Sequence, residues 1–522
     1  MGIQEVLSSE ISSRHPKNVK KLASIIRRGA DIKGKDVNGN TPLFIAAYHG
    51  NVTMIEALYA LGADVDAVSL SSELTPTFIA AQNSHPHAIR ALHKCGADIN
   101  KADKEGTPPL YIAAQNNDDP DTVRALVELG AGVNSTNRTG CSSMYVASLQ
   151  ENMKVMMALG DLGADVNQTN IEGMTPLSVA SKHSKVQAIK TLAKLKCDVN
   201  LANYVGQTPL YIAAHNGRVD VIRALVKIGA NVNSQESSGA SCVWIAARGG
   251  NMAAVKALAE LGADITAANH MHCTPLIVAA IENQVETLKL LVKLGASLND
   301  TAAEGFTAVH QATQQGHDIV LVVLAELGAE MNATNIHGDT SVFVAAHSGH
   351  VSTLRTLIRL GVDINICNLK GASPLYAACR AGHVGAVDTL IEHGADVNAG
   401  SNGAYPVNVA AYNGFTDIIV TLYKHGANMK PSSEHSLLKL AKENVDNDNS
   451  DAIAVLEKIM VKLEIACDWC GCTGKRLKLC SKCKSVRYCT LECQHKDYKE
   501  NHKAVCALVG SKCDEAVETE DV

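Results

Sequence analysis

A short phrase, Leu-Gly-Ala-Asp-Val-Asn or a near variant, returns along this chain at an almost fixed step. Its glycine stands first at Gly29 and last at Gly426, and Lys196 fills the one gap in the series. The step is 33 residues, with two of 34 and one of 32. A second phrase keeps the same beat, as in Thr41-Pro42-Leu43-Phe44-Ile45-Ala46-Ala47 and Thr208-Pro209-Leu210-Tyr211-Ile212-Ala213-Ala214. This periodicity predicts a stack of small structural units. One unit cannot bury its apolar face alone, so each neighbour must cover it.

Each unit has a physical parse. Thr-Pro opens a helix, because the hydroxyl can cap free N–H groups and proline suits the first turn. A short alanine-rich helix follows and stops near Gly50, Gly217, Gly250, Gly316, Gly349, Gly382 or Gly414, with Asn117 and Asn283 at the same place elsewhere. Glycine and asparagine tolerate the left-handed conformation expected there. A second helix follows, such as Asp220 to Ile228, with apolar residues at helical spacing. The Gly-Ala ends it, and a loop such as Asn200 to Gln207 leads to the next Thr-Pro. Only 4% of residues are aromatic although 46% are hydrophobic, so small aliphatic side chains must do the packing. At 522 residues the chain is too long for one compact core, and thin helical layers suit this composition.

Period, helix length and both phrases resemble the ankyrin repeat. The resemblance implies a mostly α solenoid of about 12–13 units: twelve from Thr41 to Gly426, preceded by a degenerate unit over residues 3–32 whose second helix spans Asn18 to Arg28. The family usually has His after Thr-Pro-Leu. Here the position holds Phe44, Phe78, Tyr111, Tyr145, Tyr211, Trp244, Phe343 and Tyr376, with His only at His310 and Ser178, Ile277 and Asn408 completing the set. Recurrent aromatics read as packing between layers. The unit at Tyr405-Pro406 is irregular, and the loop before it, 400–404, is one residue short.

Seven cysteines lie inside the repeats: Cys95, Cys141, Cys197, Cys242, Cys273, Cys367 and Cys379. They show no metal-ligand spacing and read as small packing residues. The loop tips vary while the frame does not. Val37, Lys104, Arg138, Ile171, Tyr204, His270, Ile336 and Leu369 share one tip position, with Ser71, Ser237 and Ala303 in other units. Apolar side chains on loop tips of a rigid scaffold point to a partner surface there and on the adjoining first helices.

After the last repeat, residues 436–442 read as a short helix, 444–450 as a loop, and Asp451 to Ile465 as an amphipathic helix capped by Ser450 or Asp451. Then come four ligand pairs: Cys467-x2-Cys470, Cys480-x2-Cys483, Cys489-x3-Cys493 and His502-x3-Cys506. Thiolates and imidazole are preferred zinc ligands and four close a tetrahedral site, so eight imply two zinc ions. The order of pairs, with Tyr488 before Cys489 and Gln494 after Cys493, resembles the MYND zinc finger. A RING finger would place histidine in the middle and end in Cys-x2-Cys. The MYND resemblance implies interleaved sites, with Cys467, Cys470, Cys489 and Cys493 on one zinc and Cys480, Cys483, His502 and Cys506 on the other. Spacing alone gives the ligands but not this partition. Cys472 and Cys513 are left over, His495 is an alternative to His502 that fits less well than His502-x3-Cys506, and Tyr498 stands where the family often has Trp. The resemblance also implies protein partners, among them short proline-containing peptides.

The expected domains are therefore a capping unit (1–40), the repeats (41–430), a helical cap and connector (431–466), the finger (467–506) and an acidic tail (507–522). Net charge is −6, which favours neither nucleic acid nor an anionic membrane for the whole chain. The finger carries ten Lys or Arg against four Asp or Glu between Cys467 and Cys513, which gives a nucleic-acid-associated regulator as the alternative reading. No run approaches a membrane span, no signal peptide is evident, and free or metal-bound thiols suit a reducing compartment, so an intracellular protein, cytoplasmic or nuclear, is expected. MYND fingers also occur beside SET methyltransferase domains, but no SET-like segment, phosphate loop or hydrolase motif is present, and both zinc ions would be closed by protein ligands. A non-catalytic interaction scaffold is the expectation. The partners and the oligomeric state cannot be read from the residues.

Overall fold

The computed structural model describes residues 3–12, 19–70, 73–400, 405–429, 437–444, 449–468, 478–479 and 487–488. The chain divides into two compact units: Met1–His270 with Lys293–Gly295, and Met271–Val292 with Ala296–Val522. Both are built from antiparallel pairs of short helices, and the described residues from Pro42 to Lys424 hold twelve such pairs.

In the first unit the helix Ile3–Ser12 pairs with Val19–Arg27, and six full repeats follow before the pair Cys242–Arg248 and Met252–Glu260. Local chemistry fixes each helix start. Thr208 is extended, Pro209 opens the helix Pro209–His215, and the Thr208 hydroxyl accepts the Tyr211 N–H at 3.2 Å. The second helix is Val219–Lys227, one residue earlier at both ends than its apolar spacing predicts, and Arg218 occupies the N-cap. Leu210, Ala213, Ile222 and Leu225 are fully buried between the layers, which is where the core lies. At roughly 25 cal/mol per Å² of apolar surface removed from water, one such leucine is worth about 2 kcal/mol.

Between the two helices the chain turns through a left-handed residue, as at Gly217. Ser84, Glu151 and Ser184 adopt the same conformation without being glycine or asparagine. Asn117, expected to do so, is instead extended (φ −142°, ψ 148°). This repeat carries one extra residue, its first helix runs Pro109–Asn116, and the added length relieves the tight turn; Asp119 caps the following helix.

The recurring asparagine of the Leu-Gly-Ala-Asp-Val-Asn phrase ties one repeat to the next. In the first unit Asn134, Asn167, Asn200 and Asn233 each accept, through Oδ1, a backbone N–H of the following repeat at 2.8 Å. In the second unit Asn299, Asn332, Asn365 and Asn398 do the same at 2.7–3.1 Å. These bonds satisfy backbone donors on turns that have no sheet or helix partner.

The second unit runs from Pro275–Ile281 through Thr416–Lys424 in the same pattern and then continues. The helix Leu437–Glu443 packs on Pro406–Tyr412, and Ser450–Asp468 packs on both Leu437–Glu443 and Thr416–Lys424. Neither Ser450 nor Asp451 is the N-cap of the last helix. The Asn449 carbonyl accepts its first helical hydrogen bond from Ile453 N–H at 2.9 Å, while the Asn449 amide donates to Tyr412 O and Ala441 O. Asn449 thus does for this pair what His317 and His350 do in earlier repeats, where the ring Nε2 donates to Ile281 O and Gln314 O. The helix is 19 residues long and runs past the expected connector boundary as far as Asp468. Beyond it, β1 (Lys478–Leu479) pairs antiparallel with β2 (Arg487–Tyr488), Lys478 opposite Tyr488 and Leu479 opposite Arg487.

Candidate functional site

The loop tips are built by a side-chain bracket. In the loop before Thr208, the Asn203 N–H donates to Gln207 O, and Asn203 Oδ1 accepts the N–H groups of Val205 and Gln207. The chain reverses at Gly206, and the tip residue Tyr204 projects into solvent, 74% exposed. Asp103, Asn170, Asn335 and Asn368 build the same bracket in their own repeats. The bracket ties each of these loops to its own backbone at two N–H groups. Gly173 shows how close the loops lie: its φ is +78° and an added Cβ would come within 2.7 Å of the Tyr204 nitrogen.

Neighbouring tips are hydrogen-bonded to each other. The Ile171 N–H donates to Thr139 O and the Ser237 N–H to Val205 O; in the second unit Ile336 donates to Glu304 O and Leu369 to His337 O. The result within each unit is a row of tips with apolar side chains turned outward: Ile171 (65% exposed) and Tyr204 in the first, Ile336 (61%) and Leu369 (80%) in the second. Val37, Lys104, Arg138, Ser237 and His270 are also exposed at their tips, whereas Ala303 is half-buried on a 3₁₀ turn. Ser71 lies outside the described residues. The tip in that repeat is Leu70, 70% exposed, whose N–H donates to Gly39 O. A longer loop between Ser69 and Leu74 shifts the register by one residue, which residue counting alone misplaces.

Under the tips, the aromatic row on the first helices is a packing row. Phe44, Phe78 and Tyr211 are buried, and Tyr111, Tyr145, Trp244, Phe343 and Tyr376 are half-buried. Burial pushes the Tyr111 and Tyr145 hydroxyls up to about 12. Trp244 Nε1 is buried with no hydrogen-bond partner among the described residues, and the Arg248 guanidinium lies 5.9 Å from the ring centroid. Six of the seven repeat cysteines are buried, and burial raises the thiols of Cys197 and Cys242 to about 11, leaving them protonated and unreactive at neutral pH. Cys367 departs from the packing reading: it is exposed, two residues before the Leu369 tip. The turn there presents it outward, where spacing alone gave no sign of its side.

Of the eight expected zinc ligands, Cys467 falls in the last turn of the helix Ser450–Asp468. Its side chain, and Cys470, Cys480, Cys483, Cys489, Cys493, His502 and Cys506, lie outside the described residues. The donor set itself, seven thiols and one imidazole in pairs, fits zinc and is poor for hard cations such as magnesium or calcium.

A family model of ankyrin repeats, three copies long, matches residues 62–137, 143–236, 226–302, 243–335 and 342–433, well over half of the chain. The chain belongs to the ankyrin-repeat family. A single-repeat model extends the match to residues 38–70 of this ankyrin-repeat protein, and a MYND finger model matches 467–506. The repeats are therefore followed by a finger of a zinc-binding family, and together they constitute a protein–protein interaction module. Both families are generally non-catalytic. Ubiquitin carboxyl-terminal hydrolase 19 of Arabidopsis thaliana is 40% identical over 63 residues, 12% of this chain and 9% of that protein, so the match spans less than a tenth of the relative. The crystal structure of the human ASB11 ankyrin repeat domain has a TM-score of 0.38 and 24% identity, covering 42% of this ankyrin-repeat chain and 99% of that one. Among the described residues, no helix is long and apolar enough to cross a membrane.

Proposed function

We propose that this ankyrin-repeat protein is a non-catalytic scaffold that joins two protein partners, one held by the repeats and one by a zinc-dependent finger. The observation that carries the reading is the row of exposed apolar tips. Each is held by its bracket and by its neighbour's backbone, so little ordering entropy remains to be lost on binding. Isoleucine, tyrosine and leucine in that position have no packing role within their own repeat. A partner that covers them gains apolar burial on a preformed surface.

The finger supplies the second contact, with proline-containing peptides as its expected ligands. Eight ligands hold two zinc ions, divided as Cys467, Cys470, Cys489 and Cys493 against Cys480, Cys483, His502 and Cys506. The match to the MYND finger over residues 467–506 is what supports this division. The connector, residues 431–466, closes the stack and carries the chain into the finger, and the protein acts inside the cell.

Affinity capture with mass spectrometry tests the reading by comparing the intact chain with Cys480→Ala and with Ile171→Ser/Tyr204→Ser. Each variant should lose a different subset of partners. If both retain the whole set, neither surface recruits and the scaffold reading fails.

A further inference from the structure

At three steps the outer row of second helices in the first unit follows one charge rule. The fifth residue of one helix pairs with the last residue of the next. Arg90 meets Glu128 at 2.8 Å, Arg124 meets Asp161 at 3.9 Å, and Arg223 meets Glu260 at 2.7 Å. Two steps in the middle of this row break the rule. The fifth residue of Met153–Asp161 is Met157 and the last of Val186–Lys194 is Lys194. The fifth residue of Val186–Lys194 is Lys190 and the last of Val219–Lys227 is Lys227. Where neighbours place opposite charges, these helices place lysine against methionine and lysine against lysine.

The same two helices break a second rule at their starts. In three other repeats of this unit the N-cap side chain reaches back to the preceding repeat: His85 to Tyr48 O, Asn152 to Ala114 O and Asn251 to His215 O. Here the N-caps are Lys185 and Arg218. Both forgo the inter-repeat bond and set a cation at a helix N-terminus, where the backbone dipole disfavours it. Lys182 ends the first helix of the same repeat. Lys182, Lys185 and Arg218 are near enough to His183 to lower its pKa, behind the larger effect of burial. Glu151 Oε1 accepts the Gln187 N–H, and Asp220 lies in the first turn of Val219–Lys227. From 173 to 219 the chain carries six Lys or Arg and one Asp or Glu, in a protein of net charge −6. Lys190, Lys194 and Lys227 are exposed, as are Met153 and Met157 on the preceding second helix, and no ion pair holds these lysines among the described residues.

We propose that this face, centred on the helix Val186–Lys194, docks an acidic segment of a partner polypeptide. These two helices lack both the ion pair and the reach-back bond, and put Lys or Arg in their place; such local inconsistencies are expected where binding is at stake. The partner's carboxylates would take the positions that Glu128, Asp161 and Glu260 fill elsewhere along the row. The exposed methionines of the preceding second helix are adaptable apolar contacts suited to a polypeptide. The inference shares the protein-interaction reading above but uses the opposite helices from the tip row.

The test uses the full-length chain and a fluorescein-labelled 14-residue peptide of alternating glutamate and leucine or alanine, with a glutamine-for-glutamate counterpart. The glutamate peptide should bind with an affinity that falls as salt rises. Carbodiimide cross-linking followed by mass spectrometry should place it on Lys190, Lys194 or Lys227. Lys190→Gln/Lys194→Gln/Lys227→Gln should weaken binding at least tenfold with an unchanged circular dichroism spectrum. Lys227→Glu, which re-forms the row's opposite-charge pair with Lys190, should weaken binding and leave the melting temperature equal or higher. Ile171→Ser/Tyr204→Ser should bind the peptide normally, which separates this face from the tips. The inference is overturned if the triple variant binds as the parent does, if cross-links fall only on finger lysines, or if an RNA duplex or phosphatidylserine vesicles bind this face while the peptide does not.

Discussion

His310 shows what the repeat frame demands of a single side chain. It is fully buried; its Nδ1 accepts the Thr307 N–H at 3.3 Å, and its Nε2–H donates to Asp339 O at 3.0 Å. Both bonds are made by the neutral ring, whose Nδ1 also lies 2.9 Å from the Thr307 hydroxyl. Burial lowers its pKa below 6.5, against a smaller raising influence from Asp339. A depressed folded pKa means that the unfolded chain binds the proton first, so His310 contributes full stability above pH 6.5 and loses it as pH falls through the folded value. Between pH 7.5 and 5.0 the parent should therefore lose more unfolding free energy than His310→Gln, as measured by urea titration at each pH; equal losses would exclude this role. At this scale the residues were partly legible. Caps and buried aromatics follow from local pattern, whereas the Leu70 tip and the extended Asn117 depend on loop length, which changes register without changing composition.

Helix starts vary in quality along the stack. Thr41, Thr75, Thr175, Thr208, Thr274 and Thr340 each offer a hydroxyl to the N–H three residues on. Tyr405 offers none, and the Asn408 N–H turns to the Tyr405 carbonyl instead. Tyr405 already has the extended backbone a cap requires, φ −93° and ψ 141°. Tyr405→Thr should raise stability by about 0.5–1 kcal/mol, and Thr208→Ala should lower it by about 1 kcal/mol; chemical denaturation monitored by circular dichroism reads both. The helix pairs themselves were evident from period alone. The last pair was only half visible, as two separate helical patterns. Its register is held by Asn449 rather than by a Thr-Pro or Gly-Ala phrase, and a lone asparagine in a polar stretch carries no such signal.

For the whole molecule, the two kinds of module should fail separately. Repeat stability is a sum of neighbour contacts, whereas a small zinc finger takes its folding energy from the metal. Chelation by a strong zinc ligand should release about two zinc ions per chain, by the four-ligand rule. It should leave the helical signal nearly intact and speed proteolysis beyond residue 468. If chelation instead melts the repeats, the modules are not independent. The solenoid could be read because its period repeats a dozen times, and the finger because four ligand pairs in forty residues rarely arise by chance. Which side of the repeats carries charge could not be read that way, since it depends on pairing residues 37 or 38 positions apart on neighbouring helices.

The helix Ser450–Asp468 reaches from its packing on Thr416–Lys424 to the residue after Cys467 without a break. It therefore works as a crank. One residue inserted between Ile459 and Cys467 would advance the exit of the chain by about 1.5 Å and swing it through about 100°, and an insertion of seven would bring it back to within about 20° of its starting direction. The direction in which the chain leaves that helix is written in the number of its residues, not only in their identity.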